Sequence, residues 1–154
     1  MPHLHVNRKA LQSKCEESSY GNFVSRETIL TLLVECNRNK DLAGGRKVHC
    51  LMIGNGIDSD SFLSDHLIRF FAVYESSLDA YIVFNSVGNP TVYTWQAMIS
   101  VYMSSGENHK AIYVFNEMQQ YGIKPDKVTY LYALRICSML GSLEEGRRIH
   151  EQVL

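Results

Sequence analysis

The residues able to do covalent or metal chemistry are few, and their spacing does not suit it. Six histidines stand at positions 3, 5, 49, 66, 109 and 150, and none has a glutamate two residues later. The four cysteines, Cys15, Cys36, Cys50 and Cys137, form no C-x-x-C pair. A zinc-activated water needs such ligands together with a carboxylate base, so that chemistry is not expected here. Gly54-Asn55-Gly56 lacks the preceding strand and the full glycine pattern of a phosphate loop. No nucleophile–base arrangement is visible, and no metal, cofactor or small-molecule substrate is expected. Polar recognition remains. Arg69 and Arg135 could contact phosphates. Arg69 lies four residues after Asp65, the spacing of a helical ion pair, and that pairing is the favoured reading.

These residues need a framework, and the framework repeats. In Val92–Asp126 the residues Trp95, Met98, Ile99, Tyr102 and Met103 form an apolar helical stripe. Ser104-Ser105-Gly106 interrupts it, and Ala111, Val114, Phe115 and Met118 resume it on a second helix. Gly122 and Pro125 close the unit. With Val92 as position 1, Ile99, Tyr102, Ala111, Val114 and Phe115 take positions 8, 11, 20, 23 and 24. The same positions hold Ile68, Phe71, Ala80, Val83 and Phe84 one unit back, and Leu33, Cys36, Gly45, Val48 and His49 two units back. One unit forward they hold Leu134, Cys137, Gly146, Ile149 and His150. The spacing predicts repeats over 26–60, 61–91, 92–126 and 127–154, the last stopping inside its second helix, after a partly disordered lead-in over 1–25. Two short helices cannot bury such stripes alone, so the units must stack. Helix breaks are expected near 38–41, 74–77, 104–107 and 140–142, with Asp41, Ser76 or Ser77, and Ser142 as N-caps. His49 and His150 fall on the second-helix stripe and are expected to be packed.

Composition adds bounds. A net charge of −1 gives no electrostatic signature and counts against a basic nucleic-acid binder. The run from Ile29 to Val34 is far too short to span a bilayer, and no membrane association is expected. The cysteines do not suggest a disulfide framework: Cys36 and Cys137 read as packed thiols, and Cys15 and Cys50 have no partner at a recognisable spacing. Residues 1–25 match a transit peptide only in part, because Glu16 and Glu17 accompany Arg8, Lys9 and the serines.

The segments YTWQAMISVYMSSGENHKAIYVFNEMQQYGIKPDKVTY, LRICSMLGSLEEGRRIHEQVL and ECNRNKDLAGGRKVH resemble the pentatricopeptide repeats of land plants. The order of unit lengths, 35 then 31 then 35, is similar to the variant that rotates long, short and standard motifs. The tetratricopeptide repeat, a protein-binding module, shares Ala111 and Phe115 but favours a small residue at position 8. Here that position holds Leu33, Ile68, Ile99 and Leu134.

The resemblance implies an all-α, right-handed solenoid with first helices lining the concave face. It implies an adaptor that binds single-stranded RNA one base per repeat, in a mitochondrion or chloroplast, recognising sites for editing or processing by enzymes in trans. In the resembled family the base edge is read by position 5 and the last residue of each repeat. These pairs are Leu30 with Asp60, Asp65 with Thr91, and Gln96 with Asp126, while Leu131 lacks a partner residue. Position 2, which packs on base faces, is Glu27, Phe62, Tyr93 and Val128. Position 5 here carries none of the family's usual Asn, Thr or Ser, and Leu30 and Leu131 cannot hydrogen-bond a base. Gln96 with Asp126 is the best reader, its amide expected to face the groove and its preference to be U or G. A protein- or peptide-binding scaffold and a truncated product without independent activity are the alternatives.

Overall fold

The computed structural model describes residues 24–154. They form eight α-helices: α1 (Arg26–Asn39), α2 (Leu42–Gly54), α3 (Ser61–Val73), α4 (Ser77–Ser86), α5 (Val92–Ser104), α6 (Asn108–Gln120), α7 (Lys127–Leu140) and α8 (Leu143–Val153). Among the described residues there is no strand. The helices pair as hairpins, and the hairpins stack into a helical-repeat solenoid. The first helices pack in series, α1 on α3, α3 on α5 and α5 on α7. Each of α2, α4 and α6 packs on its own first helix and on the next one.

The hairpin turns are built alike despite unlike sequences. Lys40, Glu75, Gly106 and Gly141 occupy the same place in the four hairpins, all with left-handed backbone at φ of 53°, 53°, 73° and 66°. The residue that follows each one donates its N–H to a carbonyl five residues back: Asp41 to Cys36, Ser76 to Phe71, Glu107 to Tyr102 and Ser142 to Cys137, at 2.8–3.0 Å. This motif satisfies carbonyls that the helix end would otherwise orphan. Lys40 and Glu75 carry it without glycine, at a steric cost of about 1–2 kcal/mol each.

The core runs through the stack as one cluster. It includes Ile29, Leu67, Ile68, Phe71, Val83, Trp95, Met98, Ile99, Phe115, Ile136 and Ile149. Each such side chain contributes about 1.5–3 kcal/mol when fully buried. Packing between hairpins is close at Gly45, where an added Cβ would stand 2.1 Å from the Phe70 ring of the next hairpin. Arg46 ties the same junction with a two-pronged bond to Asp79 at 2.9–3.1 Å.

Four expectations need correction. His49 is buried as expected, but His150 is exposed, because among the described residues α8 packs chiefly on α7. Ser76 and Ser142 stand at N-cap positions without a side-chain capping bond, and the Ser76 hydroxyl donates instead to Asp79. Asp41 does cap α2, accepting from the Gly44 N–H at 2.8 Å. Cys36 and Cys137 are free thiols, whereas Cys50 is disulfide-bonded, a pairing that spacing alone did not suggest. The lead-in expectation, apart from Val24 and Ser25, and the Cys15 reading lie outside the described residues.

Candidate nucleic-acid interface

The base-reading positions lie where one first helix meets the start of the next. Asp60, Thr91 and Asp126 are the N-cap residues of α3, α5 and α7. An N-cap has extended backbone and points its side-chain oxygen at the free N–H groups of the first helical turn. Asp60 accepts from the Leu63 N–H at 3.1 Å, and Asp126 from the Thr129 N–H at 2.9 Å. At Thr91 the backbone N–H donates to the Thr94 hydroxyl at 3.1 Å. The first helices pack in series, so each cap is carried toward position 5 of the preceding helix. Contacts are seen at two junctions, Gln96 with Asp126 and Thr129 at the third and Asp65 with Thr94 at the second, and the first junction sets Asp60 against Leu63, with Leu30 as the position-5 residue of α1.

The third cluster is a closed network. Gln96 is only 5% exposed. Its Nε2 donates to Asp126 Oδ1 at 2.7 Å and to Thr129 Oγ1 at 3.0 Å, and the Thr129 hydroxyl donates to the same Asp126 oxygen at 2.8 Å. The amide therefore does not face the groove as a free donor; the carboxylate beside it has taken the nitrogen. Burial works to raise the Asp126 carboxyl, but the Thr129 N–H, the Thr129 hydroxyl and the Gln96 amide outweigh it and hold the carboxyl below the ordinary aspartate value.

The second cluster is incompletely paired. Asp65 is half-buried, and its Oδ1 is enclosed without a hydrogen-bond partner. Burial pushes its carboxyl above the ordinary value, and the Thr94 hydroxyl with the Arg69 and His66 charges offset only part of that. Arg69 is exposed and forms no direct ion pair with Asp65 among the described residues, so the favoured i, i+4 pairing is absent. The solvated guanidinium gains little from closing such a pair.

In the first cluster Leu30 packs partly against the core and offers no polar atom. Asp60 is taken by an ion pair with Arg26. Burial would raise its carboxyl, but the bonds from Arg26 and the Leu63 N–H outweigh it and hold it low. Arg26 also lies over the Phe62 ring, 5.1 Å from its centroid, and the His66 ring meets Phe62 edge-on at 4.8 Å.

The stacking candidates are accessible. Tyr93 is 61% exposed and Phe62 46%, and Val128 is exposed beside Asp126. Leu131 is 65% exposed, and Arg135 and Glu27 are exposed. Thr129, Thr94 and Arg26 were missed by sequence reasoning. Thr129 and Thr94 were findable as the third residue after a capping Asp or Thr. Arg26, 34 residues from Asp60, carried no such signal. Among the described residues no group of His, Cys, Asp and Glu is arranged to hold a metal, and no helix is long and apolar enough to cross a membrane.

Residues 90–138 match the PPR repeat family. The chain is 32% identical over 126 residues to a pentatricopeptide repeat-containing protein of Arabidopsis thaliana, covering 82% of this chain and 18% of that protein. A second such protein, named chloroplastic, is 35% identical over 124 residues, covering 80% of this chain and 21% of its own length. A third, named mitochondrial, is 31% identical over 147 residues, covering 96% of this chain and 18% of its own length. The chain thus spans about a fifth of the length of these relatives. These likenesses support a plant pentatricopeptide-repeat protein.

Proposed function

We propose that this chain, similar along most of its length to plant pentatricopeptide-repeat proteins, is an adaptor that binds single-stranded RNA. Its place is an organelle, mitochondrion or chloroplast, where it recognises sites for editing or processing by enzymes acting in trans. The observation that carries this reading is the polar contact between position 5 of one first helix and the start of the next at two junctions, Gln96 with Asp126 and Asp65 with Thr94. Such contacts, with exposed rings at Phe62 and Tyr93, suit bases read one per repeat and stacked on aromatic faces. The repeats assigned to 26–60, 61–91, 92–126 and 127–154 set that register.

Only the third cluster offers a complete polar edge, so affinity from this chain alone is modest. With phosphate contacts from two arginines, counterion release contributes little, and binding should fall only weakly with salt. Arg69 and Arg135 supply the phosphate contacts of this reading. The experiment is fluorescence anisotropy with a labelled single-stranded RNA, the same RNA in duplex form and the matching single-stranded DNA. Saturable binding of the single strand, several-fold weaker for the duplex, is the expected result. No binding, or equal binding to all three, overturns the reading.

A protein-binding scaffold is the second reading. The cleft between α7 and α8, lined by Leu134, Cys137, Gly146, Arg147 and His150, favours it. Gly45, at the same repeat position as Gly146, receives the Phe70 ring from the following hairpin.

A further inference from the structure

We infer that Thr129 is a specificity-determining residue for the nucleotide at the third repeat, and that its network with Gln96 and Asp126 selects guanine. The inference rests on the RNA-binding reading above and deepens it. The bottom of the site is a buried polar triad. Thr129 is fully buried, and its hydroxyl does two jobs, accepting from Gln96 Nε2 and donating to Asp126 Oδ1.

An amide nitrogen has two protons, and both are spent, one on Asp126 and one on Thr129. The amide cannot turn over, because its carbonyl oxygen would then stand 2.7 Å from a carboxylate oxygen. Asp126 Oδ1 is saturated by three donors, the Gln96 amide, the Thr129 N–H and the Thr129 hydroxyl. The polar atoms not consumed by the triad are Gln96 Oε1 and the second carboxylate oxygen of Asp126, with the Val128 N–H as a further donor on that carboxylate. Both are acceptors only.

Such an edge asks a base for donors. Guanine is the one base with two adjacent N–H donors on its Watson–Crick edge, at N1 and N2. Uracil has a single N–H flanked by two carbonyl oxygens, and those oxygens would face like-charged acceptors. Adenine and cytosine each offer one amino group beside a bare ring nitrogen. The U-or-G ambiguity of the Gln–Asp pair therefore resolves to guanine in this chain, because Thr129 removes the amide proton that a uracil carbonyl would need.

The test is a binding panel on the full chain with short oligocytidylates carrying one central G, U, A or C. It is run on the unmodified protein and on the Thr129→Val and Thr129→Ser variants, with folding checked by circular dichroism. The expected result is tightest binding to the G oligonucleotide, about 3- to 10-fold over U, within the range of a good base contact. Thr129→Val keeps the shape, removes the hydroxyl and releases one amide proton, so the G-over-U ratio should fall toward 1 with the U oligonucleotide gaining affinity. Thr129→Ser keeps the hydroxyl and should keep the ratio. Equal binding to all four bases by the unmodified protein would sink the base-reading function and this inference together. A preference for U, or a G preference that Thr129→Val leaves unchanged, would overturn this inference alone and leave base reading standing. If Thr129→Val fails to fold, the unmodified and Thr129→Ser ratios still decide, since a G preference lost in the serine variant contradicts the role of the hydroxyl.

Discussion

The second and third junction clusters use the same backbone positions and reach opposite electrostatic outcomes. In the third, the charge sits on the N-cap, Asp126, where a helix start supplies an N–H and the positive end of the helix dipole. Its carboxyl is held below the ordinary value. In the second, the charge sits at position 5, Asp65, in the body of α3, where backbone donors are already used by the helix. One oxygen is buried without a partner, and the carboxyl is pushed up. The cap there is Thr91, which is neutral. The lesson is that where the charge sits within the cluster decides whether burial costs or contributes stability. The third cluster is a fixed, internally paired network, whereas the second holds an enclosed acceptor without a partner.

Replacing Asp126 should have the largest effect on this contrast. Asp126→Ala removes the α7 cap and strips one partner from the buried Gln96 amide. A loss of about 2–3 kcal/mol is expected in chemical denaturation. Gln96→Ala comes next at about 1–2 kcal/mol, because Asp126 keeps its bonds from Thr129. Asp65→Asn should have the smallest effect and the opposite sign, a gain of less than about 1 kcal/mol near neutral pH, since an amide is cheaper to bury half-paired than a carboxylate. A loss on Asp65→Asn equal to that on Asp126→Ala would break the comparison.

The pH dependence sharpens it. Asp126 has a folded value below the unfolded one of about 3.9, so its stabilisation is present above that pH and is lost as pH falls through the folded value. Asp65 has a folded value above the unfolded one, so its contribution is full below about pH 3.9 and is lost as pH rises through the folded value. Stability curves of the single variants between acid and neutral pH should therefore differ in sign. The Asp65→Asn gain should appear only on the high-pH side of that window. Asp126→Asn should cost most there and progressively less toward acid. Parallel curves would contradict the assignment.

Much of the architecture was legible because helical periodicity reports burial directly. Trp95, Met98, Ile99, Ala111, Val114, Phe115 and Met118 were placed on core stripes, and all are buried. The turns at Gly106 and Gly141 announced themselves by residue type, whereas Lys40 and Glu75 adopt the same left-handed geometry with no local signal. The terminal residues Asp60, Thr91 and Asp126 were read only as groove residues. Their role as caps was visible in residue type and position, but the cap's bond to the previous helix, as from Gln96 to Asp126, depends on packing across 30 residues. Arg69 illustrates the converse: the spacing was right for an ion pair with Asp65, but an exposed arginine has no need to close it.

The central claim is that RNA lies along the first helices, and photochemical crosslinking tests it most directly. Tyr93 and Phe62 are exposed at the starts of α5 and α3, while Tyr113 and Tyr121 are exposed on the body and at the end of α6, a second helix. The chain carries its own control. Ultraviolet irradiation of the complex with single-stranded RNA, followed by mass spectrometric mapping, should place crosslinks at Tyr93 and Phe62 and leave Tyr113 and Tyr121 unmodified. Crosslinks concentrated at Tyr113 and Tyr121, with Tyr93 and Phe62 untouched, would contradict the account.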